Sequence, residues 1–213
     1  MILDANELSA MADGDPARQH SFATRSPTEK NGSVKFVALL RGINVGGKNA
    51  VSMSALRAVL EQLPFKDVST YIQSGNVLFE SRYKNPVRLS RMIEDVLTRE
   101  FGVSSVVVVL TEAQLQQVVT HAPPSFGVQP AQFRYDVAFL KPPIEAGDIL
   151  PTIRLKDGVD QAFAANHVLY FQKLSERASQ SHLPKLVDHP AYKSMTIRNW
   201  RTTTELHRLM TRG

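Results

Sequence analysis

No cysteine occurs among the 213 residues, which excludes a disulfide framework and thiolate catalysis and is typical of a protein from a reducing compartment. The sequence also lacks an apolar run near the roughly 20 residues that a membrane-spanning helix needs, and its first residues lack the apolar segment of a signal peptide. We therefore predict a globular cytoplasmic protein that has no membrane partner.

Common templates for catalysis and metal binding are missing as well. The sequence contains neither a His-Glu-x-x-His nor a Gly-x-Ser-x-Gly motif. We interpret His182 and His189, seven residues apart, as surface residues rather than zinc ligands. We predict no metal and no cofactor, and the sequence leaves open whether the protein is an enzyme.

Positive charge is concentrated outside the first 33 residues. These hold three Lys or Arg against five Asp or Glu, so residues 34–213 carry a net charge of about +7, against +5 for the whole chain. Such a surface attracts phosphate-bearing partners, although it would equally serve solubility.

Hydrophobic periodicity divides the chain into a tail and two halves. Residues 1–33 sustain neither a helical nor a strand pattern and are interpreted as a disordered tail. From residue 34 the pattern predicts the order βαββαβ, with strands at 35–41, 68–73, 77–79 and 105–110, helices at 53–63 and from Pro86 to about 97, and a connecting helix at 111–120. This is the split βαβ, or ferredoxin-like, order.

The second half loosely repeats the first beyond a proline-rich connector at 123–130. It has predicted strands at 135–140, 161–165, 167–172 and 196–200, and predicted helices at 144–149, 183–188 and about 203–210. We therefore predict an α+β fold of two ferredoxin-like halves, residues 34–122 and 123–213, with mainly antiparallel sheets.

A glycine-rich run from Arg41 to Asn49 follows a predicted strand and precedes a predicted helix. Its glycines allow close backbone approach and, with a helix N-terminus, make an anion cradle. Gly42 to Lys48 has the spacing of a phosphate loop, but Asn49 replaces the hydroxyl that would hold magnesium, and a hairpin follows where a parallel sheet is needed. We reject a nucleotide hydrolase and keep phosphate binding; the alternative is a structural turn with a solvated Lys48.

Three segments have distinctive sequences: Val37–Lys48, Tyr71–Val77, and Thr196–Trp200 followed by Thr203. They resemble signatures of a bacterial family known as domain of unknown function 1697. The resemblance spans about residues 34–212 and implies an α+β architecture with related halves. It brings no catalytic residue, cofactor or substrate with it.

The second and third signatures supply polar side chains. Gln73, Ser74 and Asn76 can bind a ligand or simply make a tight turn. Arg198 and Asn199 lead into a helix for which Thr202 to Glu205 is a predicted capping box, which makes a second anion site.

Arg41 and Trp200 each allow two interpretations. Arg41, at the end of an apolar strand, either pairs with a carboxylate or clamps an anion, and we favour the clamp. Trp200, the single tryptophan, either anchors the core or stacks on a base, and we favour the anchor.

These features predict a protein that binds a phosphate-bearing ligand, either nucleic acid or nucleotide. The predicted groove is lined by Arg41, Asn44, Gly46, Gly47, Lys48, Gln73, Ser74, Asn76, Arg198, Asn199 and Trp200. Two alternatives remain open. One is an enzyme acting on a phosphorylated metabolite, and the other is a protein-interaction module.

Overall fold

The first half of the chain forms one sheet and three helices. The computed structural model describes residues 32–44 and 50–212, so the predicted tail lies outside the described residues except for its last two positions. The elements are β1 (Val34–Leu40), α1 (Met53–Leu60), β2 (Phe65–Tyr71), β3 (Asn76–Ser81), α2 (Pro86–Phe101), β4 (Val107–Thr111) and α3 (Glu112–Thr120).

The ends of α2 and α3 follow from local chemistry. The Asn85 side chain caps the first amides of α2, Pro86 occupies its first turn, and Gly102 ends it at a φ of 63°. Thr111 and Gln114 form a reciprocal capping box at the start of α3.

The second half repeats this order, with a shorter first helix and with 3₁₀ helices in place of the long second helix. Its elements are β5 (Phe133–Leu140), α4 (Ala146–Ile149), β6 (Asp160–Ala165), β7 (Val168–Leu174), β8 (Met195–Asn199) and α5 (Trp200–Thr211). Short 3₁₀ helices lie at Leu150–Thr152, Ala178–Gln180, Leu183–Asp188 and Pro190–Ser194. The helix predicted at 183–188 is thus a 3₁₀ helix.

Two four-stranded antiparallel sheets result, which confirms the predicted α+β class. Their strand orders are β2-β3-β1-β4 and β6-β7-β5-β8, so each strand of one sheet has a counterpart in the other. All pairings within the two sheets are antiparallel.

Alternation along the central strands separates three cores. In β1, Phe36 and Ala38 face α1 and α2, whereas Val37 and Leu39 face inward. The inward residues pack in one cluster with Val137 and Phe139 of β5 and with residues of α3 and α5. A third cluster covers the outer face of the second sheet. Both sheets therefore share the middle core.

The structure corrects the start of the last helix. Asn199, not Thr202, is the N-cap: its Oδ1 accepts a hydrogen bond of 2.7 Å from the Thr202 amide. The helix thus begins at Trp200, which was predicted to end a strand. Across the described parts of the chain, every helix is too short or too polar to cross a bilayer.

Candidate functional site

A cleft of about 780 Å³ lies where the two halves meet. It is lined by the end of β1, the turn after β2, one face of α2, the segment leading into β4, and the region from Tyr192 through β8 to the first turn of α5. Among the residues that the structure describes, four of the predicted groove line it: Arg41, Ser74, Arg198 and Asn199.

Arg41 lines this cleft, and its guanidinium lies over a tyrosine ring. Its backbone amide donates to the Val106 carbonyl at 2.9 Å, and its carbonyl accepts from Ser105 Oγ at 2.8 Å, so the backbone is fixed to the segment before β4. The guanidinium carbon lies 4.6 Å from the centre of the Tyr192 ring. Within residues 32–44 and 50–212 the Arg41 side chain makes no ion pair or hydrogen bond.

Arg198 is buried, with 7% of its surface exposed, and is bonded to both halves. From β8 its Nε donates to Asn76 Oδ1 at 2.6 Å, and its Nη2 donates to the carbonyls of Leu40, Ser74 and Gly75 at 2.8 to 3.1 Å. Its Nη1 donates to Thr196 Oγ1 and the Ile197 carbonyl. Every nitrogen of the guanidinium therefore has a protein acceptor.

All these acceptors of Arg198 are neutral. No carboxylate of the described chain pairs with it, and burial lowers the pKa of its guanidinium to about 10. Since the group remains charged at neutral pH, it places a positive charge in the wall of the cleft.

The turn after β2 and Asn76 at the start of β3 accept hydrogen bonds from Arg198. Asn76 is fully buried, and its Nδ2 donates to the Tyr71 carbonyl at 3.0 Å and to Ser74 Oγ at 3.2 Å. Gly75 has a φ of 73°, and a Cβ there would lie 2.9 Å from Leu40 Cβ, so the position requires glycine. The second signature thus builds a turn that accepts an arginine from the other half.

Asn44 has a comparable bridging position. Its Nδ2 donates to the carbonyls of Val51 and Gln73 at 2.9 and 3.0 Å, and its Oδ1 accepts from the Val51 amide at 2.8 Å. These bonds tie the two ends of the glycine-rich run together. The middle of the run, with Gly46, Gly47 and Lys48, lies outside the described residues.

Asn199 and Trp200 mainly support the fold. The Asn199 side chain caps α5, as described above. The Trp200 ring packs edge-on against Phe126 at 5.1 Å between ring centres and belongs to the periphery of the middle core. This placement agrees with the favoured anchor interpretation.

Three charged residues of the cleft were not predicted from the sequence. Lys141, at the end of β5, pairs with Glu94 on α2, and the same Glu94 Oε1 also accepts from the Val107 amide at 2.8 Å. Asp95, the next residue of α2, is exposed and makes no ion pair or hydrogen bond within the described ranges. Charges on a helix are most often interpreted as a solvated face, which is why the periodicity did not single out Glu94 and Asp95.

Arg41 and Lys141 occupy equivalent positions of the two halves. Each directly follows the first strand of its sheet, and their amides donate to the equivalent carbonyls of Val106 and Ser194 at 2.9 and 2.8 Å. Arg41 then reaches Tyr192, between β7 and β8, while Lys141 reaches Glu94, between β3 and β4. Each half thus contributes one cationic side chain, which contacts the segment between the third and fourth strands of the other half.

Comparisons with known proteins identify a family and a fold. A family model described as protein of unknown function, DUF1697, matches residues 34–170, which include the first two signature segments but not the third. The solved structure of the conserved bacterial protein SP0830 from Streptococcus pneumoniae is similar, with a TM-score of 0.73 and 24% identity over 84% of this chain and 100% of that one. No curated protein sequence matches the chain. Among the described residues, no group of three or more His, Asp or Glu is placed to hold a metal ion.

Proposed function

Because the chain belongs to the family of unknown function DUF1697, which carries no activity in its description, we propose its function from the cleft: the protein binds a phosphate-bearing ligand beside Arg41. The observation that carries this proposal is the buried Arg198 guanidinium, which has neutral acceptors only. A positive charge in a partly desolvated wall acts strongly on a nearby anion because little water screens it.

The two arginines have different roles in this proposal. All nitrogens of Arg198 are already bonded to the protein, so Arg198 contributes charge but no hydrogen bond to the ligand. Arg41 has its guanidinium free of ion pairs within the described ranges and makes the direct contact. The glycine-rich run, with Lys48, begins next to Arg41 and supplies the further contacts predicted from the sequence.

An enzyme that acts on a phosphorylated metabolite is the second candidate function. The specific observation in its favour is that titratable groups, Asp95 and Tyr192, share the cleft with Arg41. A volume of about 780 Å³ also falls within the range of roughly 300 to 1,000 Å³ that is usual for small-molecule pockets.

Two finer interpretations belong to the same proposal. We interpret each half as a ferredoxin-like unit, which the strand orders β2-β3-β1-β4 and β6-β7-β5-β8 support. We also keep a cytoplasmic location, for which the cysteine-free sequence is the support.

A thermal-shift experiment tests the proposal with a matched control. The probes are inorganic phosphate, AMP, ribose 5-phosphate and a 12-nucleotide single strand. A probe at a hundred times its Kd should raise the Tm of the wild type by about 5 to 10 °C. Arg41→Ala and Lys48→Ala should lose most of this shift.

Arg88→Ala is the control, because Arg88 also lies over a tyrosine ring, that of Tyr83, at 4.0 Å, but outside the cleft. It should keep the full shift. If no probe stabilises the wild type, or if Arg41→Ala is stabilised as much as Arg88→Ala, the proposed site is wrong. A steep fall of oligonucleotide affinity with salt would identify contacts to a nucleic-acid backbone.

A further inference from the structure

The cleft offers unpaired charges of both signs to a ligand. Arg41 at the end of β1 and Asp95 on α2 both line it, and neither side chain has an ion pair or hydrogen bond with another residue that the structure describes. Glu94, by contrast, is engaged by Lys141 and by the Val107 amide. Among the described residues, a ligand that fills the cleft therefore meets one guanidinium and one carboxylate that have neither an ion pair nor a hydrogen bond.

An ionised carboxylate can accept hydrogen bonds but cannot donate them. The part of the ligand that faces Asp95 must therefore carry donors such as hydroxyl groups, whereas the part that faces Arg41 must carry negative charge. Ser104, which is exposed and also lines the cleft, adds a hydroxyl that can both donate and accept.

We infer that the ligand is a hydroxyl-bearing phosphate monoester, that is, a sugar phosphate in chemical class, with its phosphate at Arg41 and its hydroxyls at Asp95. This inference rests on the proposed function and names the ligand class of the same site. It makes Asp95 the residue that determines specificity.

The same carboxylate disfavours a nucleic acid. A polymer that follows the cleft would bring phosphates past Asp95, and like charges at close range repel. A single phosphate at one end of a small ligand avoids this contact, while its hydroxyl-bearing end satisfies the carboxylate.

Isothermal titration calorimetry on the full chain tests the assignment. The probes are ribose 5-phosphate, inorganic phosphate, ribose and a 12-nucleotide single strand. Wild type should bind ribose 5-phosphate more tightly than any of the other three. Asp95→Asn should weaken ribose 5-phosphate binding by about 10-fold or more, because the ligand's hydroxyls then donate to a neutral amide oxygen instead of a charged carboxylate. It should leave the affinity for inorganic phosphate within about two-fold or raise it, because a nearby negative charge is removed.

Asp157→Asn is the control, since Asp157 is exposed and lies outside the cleft; it should leave the affinities for all four probes unchanged. Equal effects of Asp95→Asn on ribose 5-phosphate and on phosphate, or tighter binding of the oligonucleotide, would overturn the sugar-phosphate class and leave phosphate binding at Arg41 standing. If wild type binds no phosphate-bearing probe, the proposed function fails and this inference fails with it.

Discussion

Arg198 shows how one residue can connect the two halves of this molecule. Its acceptors belong to β8 itself, to the end of β1, to the turn after β2 and to the first residue of β3, up to 158 positions away in the sequence. Burying a guanidinium without a carboxylate is costly, and the cost is lowered here by a complete set of hydrogen bonds. The planar geometry of the Arg198 guanidinium is therefore as important as its charge.

Arg198→Lys should destabilise the protein by about 3 kcal/mol or more, because lysine keeps the charge but leaves several buried acceptors unpaired. Urea denaturation measures this change in the free energy of unfolding. Arg201→Lys is the matched control on the neighbouring exposed position and should stay within about 0.5 kcal/mol of wild type. If Arg198→Lys lowers the free energy of unfolding as little as the control does, the hydrogen bonds of the Arg198 guanidinium do not hold the halves together.

The sequence predicted several residues of the site but not the contacts that they make. The sequence singled out Arg198, Asn76 and Ser74 because they lie at turns and helix starts, where polar side chains gather. It could not show that Arg198 bonds to Asn76 and Ser74, since these contacts span more than 120 positions and leave no local pattern. Lys141 was missed because its contact with Glu94 spans 47 positions, and Asp95 was missed because a charge on a helix is most often interpreted as solvated.

At the scale of elements, most of the chain followed local rules. Predicted and observed strands agree to within a few residues, because alternation and turn residues mark them. The exception is the start of α5, where the predicted capping box placed the cap at Thr202 and the predicted strand ran on into Trp200. The Asn199 side chain sets the helix start by capping it, and Trp200 then packs against the connector between α3 and β5.

Gly127 in that connector gives an element-scale prediction. Its φ is 80°, and a Cβ there would lie 2.1 Å from Trp200 Nε1. Gly127→Ala should therefore destabilise the protein by about 2 to 4 kcal/mol, from backbone strain and overpacking together. It should also shift the emission of Trp200, the single tryptophan.

Gly102→Ala separates the two causes. Gly102 has a similar φ of 63°, but nothing lies within 4 Å of its added Cβ. Gly102→Ala should therefore lower the free energy of unfolding by backbone strain alone, about 1 to 2 kcal/mol. Urea denaturation and fluorescence of both variants measure the difference. If the two variants lose the same stability with unchanged emission, the connector does not hold the tryptophan.

For the whole molecule, the decisive feature is the core that both sheets share. Val37 and Leu39 of one sheet and Val137 and Phe139 of the other pack in the same cluster. Neither sheet can lose this core without exposing the inner face of the other. We therefore expect perturbation of one buried group in this cluster to change the stability of the entire described chain.

Tyr170 on β7 allows that expectation to be tested by pH. It is 1% exposed, its hydroxyl donates to the Val118 carbonyl of α3 at 2.8 Å, and burial raises its pKa to about 12. The unfolded chain loses this proton near pH 10, before the folded chain does. Its contribution to stability is therefore complete below pH 10 and is lost as the pH rises to 12, in total about 2.7 kcal/mol.

Between pH 9 and pH 11, urea denaturation should show that wild type loses about 1.4 kcal/mol more than Tyr170→Phe. The phenylalanine variant keeps the ring, whose centre lies 5.3 Å from that of Phe126, so packing is matched and other tyrosines and lysines cancel in the comparison. Because the core is shared, far-ultraviolet circular dichroism and Trp200 fluorescence should report the same midpoint at each pH. Parallel losses in the two proteins, or separate midpoints for the two signals, would contradict a single core that unites the halves.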